Sequence, residues 1–219
     1  MADPGNIVTL TDPSSAASEA YRTLRMNLQF ASLDRQIRSL LVTSPGASEG
    51  KTTTLANLAV TMAQIDQRVI MVDCDLRRPG LHLLFGLNNE QGLTNMVLDD
   101  DALANPPLQA TSVPGLSLLA SGELPPRPSD LLASKRMEAV LARLLELADL
   151  VLLDAAPIMT VTDAVMLATK VDEVLLVTSA GVTKREQAQA AIERLKKVNA
   201  HIIGTALTNA DVSSALHSY

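Results

Sequence analysis

Gly46-Ala47-Ser48-Glu49-Gly50-Lys51-Thr52 constrains this chain more than any other segment, because the elements on either side leave it little choice of shape. Before it, residues 37–43 form an apolar stretch closed by Ser44-Pro45, which reads as a buried strand. After it, residues 52–65 read as a helix. The segment spells G-x-x-x-G-K-T, the glycine-lysine-threonine end of a phosphate loop, with Pro45 ahead of its first glycine. Its glycines let backbone N–H groups turn inward around phosphate oxygens, and the following helix points its positive end at the anion. Lys51 adds a point charge for the β- and γ-phosphates, and the Thr52 hydroxyl can ligate Mg²⁺. The expected nucleotide contacts are therefore Gly46, Ala47, Ser48, Glu49, Gly50, Lys51, Thr52 and Thr53. The competing reading is a plain Gly-containing turn. Two glycines at fixed positions coincide at only roughly 0.5% of sites, and the strand-before, helix-after context also matches.

The rest of the chain repeats that alternation. Residues 14–31 read as a helix, 68–73 as a second strand and 116–120 as a third. Residues 129–148 read as one long helix with Ser129 as its cap. Strands follow at 150–153, 174–178 and 202–207, and Thr183-Lys184-Arg185-Glu186 fits a capping box opening the last helix. The pattern predicts an α/β fold: an open, mostly parallel sheet with helices on both faces, and a ligand site at the carboxyl ends of the strands. Residues 1–13 read as a mobile arm, 14–210 as a single domain and 211–219 as a short tail.

Composition narrows the partners. Aromatics are 2% of the 219 residues, so the stacking platforms of single-strand nucleic-acid binders are missing. A net charge of −6 also argues against nucleic acid. Cys74 is the one cysteine, which excludes an internal disulfide and fits a reducing compartment. No apolar run approaches membrane-spanning length and the first residues lack a signal-peptide pattern, so the expectation is cytoplasmic. His82, His201 and His217 are dispersed, without metal-ligand spacing.

Three aspartates end strands: Asp73 and Asp75 after one, Asp154 after another. Burying an unpaired carboxylate at such a place is costly, whereas a hard cation such as Mg²⁺ takes one or two carboxylates together with phosphate oxygens and water.

Five segments together resemble the bacterial tyrosine kinases of capsule and exopolysaccharide assembly, within the larger class of MinD and ParA ATPases. They are Glu19-Ala20-Tyr21-Arg22-Thr23-Leu24-Arg25, the loop at Gly46, Val72-Asp73-Cys74-Asp75-Leu76-Arg77-Arg78-Pro79, the Pro-rich stretch 121–132, and Leu152-Leu153-Asp154-Ala155-Ala156-Pro157. The resemblance implies a P-loop nucleotide-binding fold and an autophosphorylating kinase using ATP and Mg²⁺. Lys51 would stabilise the transferring phosphoryl group. Thr52, Asp75 and Asp154 would hold the metal, and Asp73 would be base or orienter for a tyrosine hydroxyl. Glu19, Arg22 and Arg25 would dock on a neighbouring subunit and build a ring; by spacing alone they equally describe a solvated face with a local Glu–Arg pair. A separate membrane-spanning activator would recruit the protein to the inner face of the membrane.

Two features depart from the family. The loop lacks the extra lysine that MinD- and ParA-type loops carry near their start, with Gly46 and Ala47 there instead, which agrees with the kinase branch. The tail carries Tyr219 where the family shows a tyrosine cluster. Three readings of that tail stand: Tyr219 is a minimal phosphosite, a cluster has been trimmed, or the protein is an ATPase switch that does not phosphorylate itself. Arg77 and Arg78 either contact phosphate or the aspartates, or are solvated.

Overall fold

The computed structural model describes residues 7–31 and 36–210. Its centre is a seven-stranded sheet in the order β3-β4-β2-β5-β1-β6-β7. The strands are β1 Ser39–Thr43, β2 Val69–Asp73, β3 Gln109–Ala110, β4 Leu116–Leu119, β5 Leu150–Asp154, β6 Glu173–Ser179 and β7 Ile202–Thr208. Every pairing is parallel except that of the short edge strand β3 with β4. The mostly parallel sheet expected from sequence is thus present.

The apolar runs are continuous because both faces are covered. Side chains alternate across the sheet: Leu40, Val42, Met71, Leu152 and Leu175 enter one core, while Leu41, Val72, Val151, Leu153 and Leu176 enter the other. The first core is closed by α1 Val8–Thr11, α2 Ala16–Ala31, α3 Lys51–Ala63 and α4 Leu81–Phe85. The second is closed by α5 Leu93–Leu98, α7 Pro128–Ala133, α8 Lys135–Leu147, α9 Asp163–Ala168 and α10 Arg185–Lys197, with the short helix α6 Asp100–Ala104 against its edge. Residues 54–63 of α3 are all buried, since α2 covers the side of α3 that the sheet does not. The helix that begins at the glycine-rich loop is therefore the most enclosed in the fold.

Three expectations change. Within the stretch assigned by sequence to a mobile arm, Ile7 and Thr9 are anchored while residues 10–13 are exposed: Ile7 is 2% exposed, and the Thr9 N–H and hydroxyl both donate to Asn57 Oδ1 on α3. Proline and aspartate suggested mobility there, but a buried amide on another element supplies the partners.

The helix expected over 129–148 is two helices broken at Ser134, whose ψ of 155° is extended. Ser134 Oγ accepts from Met137 N–H and caps α8, whereas α7 starts with Pro128 at its first position. Ser129 is not a cap; its hydroxyl donates to Asp163 Oδ1.

The box at the last helix begins one residue later than expected. Lys184 N–H donates to Gln187 Oε1, while Thr183 turns its hydroxyl elsewhere.

Replacing Ser134 with alanine removes the acceptor for Met137 N–H at the α7–α8 break. We expect Ser134→Ala to lower stability by about 1 kcal/mol, read from urea unfolding; an unchanged midpoint would show that the break needs no cap.

Candidate nucleotide and metal site

The loop between β1 and α3 adopts a shape that ordinary backbone resists. Gly50 has φ 88°, which strains any residue with a side chain, and a Cβ there would sit tightly, 3.2 Å from Thr208 Cγ2. Ser48 holds φ 61°, uncommon for a residue with a side chain. From Lys51 onward the chain is helical, which leaves the first N–H groups of α3 directed into the loop.

Parallel pairing then brings the distant aspartates to this loop. β5 lies between β1 and β2, and the register sets Asp154 opposite both Val42 and Asp73. Lys51 Nζ sits 3.0 Å from Asp75 Oδ2 and 3.3 Å from Asp154 Oδ1. Thr52 Oγ1 donates to Asp154 Oδ2 at 2.6 Å. Asp73 Oδ2 accepts from Gly80 and Leu81 N–H at 2.9 and 3.0 Å, and Asp75 Oδ1 accepts from Arg78 N–H at 3.0 Å. Lys51, Thr52, Asp73, Asp75 and Asp154, predicted separately from sequence, form one cluster.

The charges explain what this cluster lacks. Asp73, Asp75 and Asp154 are 0%, 4% and 0% exposed, with a single ammonium among them. Burial lowers the Lys51 pKa, but Asp154 and Asp75 outweigh it and hold the ammonium above its ordinary value. Burial raises Asp154, opposed by Lys51 and Thr52. Burial, reinforced by the charge of Asp154, lifts Asp73 to about 7, against the pull of the Leu81 and Gly80 N–H groups. An excess of buried carboxylate oxygens beside a hydroxyl is a donor set that suits a hard divalent cation. Among the described residues no group of three or more His, Cys, Asp or Glu is arranged to chelate a metal unaided. A cation here would thus need nucleotide oxygens and water as well.

A cavity of about 680 Å³ opens beside the loop rather than over the carboxylates. Its walls include Tyr21 of α2, Ser48, Gly50, Thr53 and Thr54 of the loop and α3, and Asn209 after β7. Burial lifts the Tyr21 phenol above its ordinary value.

Other sequence expectations find definite places. The Arg77 backbone N–H donates to Asp75 Oδ1 at 3.4 Å, but its guanidinium turns to another carboxylate: Nε donates to Asp163 Oδ2 at 2.8 Å, and Ser129 Oγ donates to the other oxygen of that carboxylate. Asp163 is fully buried and carried no sequence signal. Arg78 is exposed. Cys74 is fully buried, and burial together with Asp73 pushes its thiol well above 9.0.

On α2, Arg22 pairs with Glu19 at 2.8 Å and Arg25 donates to Thr61 O of α3. The local Glu–Arg pair is therefore formed. Sequence reasoning missed Met26 and Phe30, which continue the Arg22 stripe at helical spacing and are 46% and 64% exposed. Tyr219 and His217 lie outside the described residues.

Comparison with known proteins agrees with this geometry. The model of the CobQ/CobB/MinD/ParA nucleotide binding domain matches residues 40–217. The tyrosine-protein kinase YwqD of Bacillus subtilis is 40% identical over 208 residues, covering 95% of this chain and 87% of that protein. The tyrosine-protein kinase Etk of Escherichia coli is 33% identical over 212 residues, which are 97% of this chain and 29% of that longer protein. The solved kinase domain of E. coli ETK superposes with a TM-score of 0.85 at 30% identity, covering 94% of this chain and 82% of that one.

The raised pKa of Asp73 fixes the sign of a pH effect. Its folded value of about 7 exceeds the ordinary 3.8, so the folded state holds a proton that the unfolded state has released. The stability this supplies is full below about 3.8 and is lost as pH rises through 7. Thermal unfolding of the nucleotide-free protein between pH 5 and 8 should show a falling midpoint, and Asp73→Asn should flatten that fall. An Asn variant with the same slope would remove Asp73 as its source.

Proposed function

Because this chain belongs to the CobQ/CobB/MinD/ParA nucleotide-binding family, among its bacterial tyrosine-protein kinases, we propose that it transfers the γ-phosphoryl group of Mg²⁺-bound ATP to tyrosine hydroxyls, in the control of capsular or exopolysaccharide synthesis and export. The observation that carries the reading is the Lys51 ammonium held between Asp75 and Asp154 where the loop enters α3.

The loop and the N–H groups at the start of α3 cradle the phosphates, and Lys51 follows the negative charge that develops on the transferring group. Thr52, Asp75 and Asp154 would hold Mg²⁺, partly through water, and the ion would supply charge neutralisation across the phosphate oxygens. The cavity beside Tyr21 and Asn209 would take the nucleoside.

Of the two roles open to Asp73, complete burial favours orienting. Its carboxylate fixes the segment that follows β2 through the N–H groups of Gly80 and Leu81, and so sets where Asp75 points.

Assembly and location complete the proposal. Exposed Met26 and Phe30, in line with half-buried Arg22 on α2, support a ring in which this helix meets a neighbouring copy. No helix among the described residues is long and apolar enough to cross a membrane. A separate membrane-spanning activator, recruiting a cytoplasmic kinase, is the arrangement that accords with this.

Incubation with ATP and Mg²⁺ followed by intact-mass measurement should show phosphate on Tyr219 or on a supplied tyrosine peptide, and Lys51→Met should abolish it without unfolding the protein. Phosphate release with no phosphotyrosine, even with the membrane activator present, would replace the kinase with an ATPase switch.

The ring is tested by size. Arg22→Ala combined with Phe30→Ser should convert an oligomer to monomer in light scattering; a wild-type protein that is monomeric with and without ATP would remove the ring.

A further inference from the structure

An acidic side chain sits inside the loop that is to receive a polyanion. Glu49 is 3% exposed, and both of its carboxylate oxygens are engaged by uncharged donors. Gly46 N–H donates to Oε2 at 2.7 Å, and Thr183 Oγ1 donates to Oε1 at 2.5 Å. The Thr183 hydroxyl is itself aimed, because it accepts from Ser179 N–H at 2.8 Å. The backbone carbonyl of Glu49 accepts from Thr208 Oγ1 at 2.8 Å. Asn209 Nδ2 in turn donates to Ser179 Oγ. One residue thus closes the loop on its own first glycine and ties it to the ends of β6 and β7.

We propose that Glu49 is a positioning residue, latched through Thr183, that holds the loop in its phosphate-receiving shape before the nucleotide arrives. The inference rests on the Mg·ATP reading of the site and adds a named pair of residues to it. Two features of the loop give the latch something to hold. Ser48 is at φ 61°, which a free loop would tend to leave, and Gly46 N–H would otherwise be a half-buried donor without a partner. The carboxylate satisfies that donor, so Gly46 N–H is closed to phosphate and the later N–H groups of the loop remain to meet the ligand. Thr183 stands on the turn that leads into α10, so the latch also links the loop to a helix on the opposite face of the sheet.

A latch that only shapes the empty loop acts on nucleotide binding more than on the chemical step, since the bound phosphates then impose the same shape. Thr183→Val, which keeps the volume but removes the hydroxyl, should raise the KM for ATP by about tenfold with kcat within about twofold. Thr183→Ser, which keeps the hydroxyl, should behave as wild type. Glu49→Ala should raise KM at least as far, and Glu49→Ala with Thr183→Val should be no worse than Glu49→Ala alone, because both break one connection.

A role confined to folding would instead lower the unfolding midpoint of the nucleotide-free protein and leave KM unmoved. That outcome, unchanged KM in Thr183→Val, or multiplying effects in the double variant would each overturn the latch. Should Glu49→Ala fail to fold, the contrast between Thr183→Val and Thr183→Ser still decides. Calorimetry on the wild type separates the two levels: no heat with ATP and Mg²⁺ defeats the nucleotide reading and the latch together, whereas normal heat with an unaltered Thr183→Val defeats the latch alone.

Discussion

The contact of Lys51 with Asp75 and Asp154 is the interaction on which the site depends. An ammonium 12% exposed beside carboxylates that are almost wholly buried is favourable only because each charge answers the other. Removing Lys51 would leave uncompensated buried anions, and removing one aspartate would leave the other sharing the lysine unequally. The arrangement is a site poised for more positive charge than the chain provides, and a nucleotide-bound divalent cation is a chemically apt source of it.

Parallel strands make that contact possible. A parallel sheet sets the carboxyl ends of its strands along one edge, and the insertion of β5 between β1 and β2 places the end of β5 beside both the loop and Asp73. The two apolar cores on either side exclude water from the sheet, so the strand ends sit at the mouth of a low-dielectric region where hydrogen bonds and charges count for more. Around this centre, polar ties join loops from separate elements. Arg77 and Ser129 meet on buried Asp163, and Glu49 meets Thr183. The segment after β2 and the first turn of α7 are thereby held to the start of α9, and the turn before α10 to the phosphate loop.

Local signals were reliable where one residue type had one physical use. The loop motif, the three strand-ending aspartates and the buried strands were all legible, because glycine at φ 88°, a carboxylate after an apolar run and two-sided burial each leave a mark in a short window. Local signals misled where a polar residue had several possible partners. Ser129 and Thr183 looked like helix caps, yet Asp163 and Glu49, 34 and 134 residues away, took their hydroxyls. Asn57 likewise drew Thr9 out of an arm that composition alone made mobile.

What the sequence determined by itself was the class of fold, the phosphate loop and the identity of the acidic residues around it, since all of these follow from periodicity and from residue chemistry at fixed spacing. Only the tertiary structure decided which distant groups meet: the lateral pairing of Asp73 with Asp154, the buried seat of Asp163, the latch at Glu49 and the exposed stripe on α2. The physical reason is that strand order and helix docking set these distances, and both arise from the summed burial of two cores rather than from any short stretch of chain.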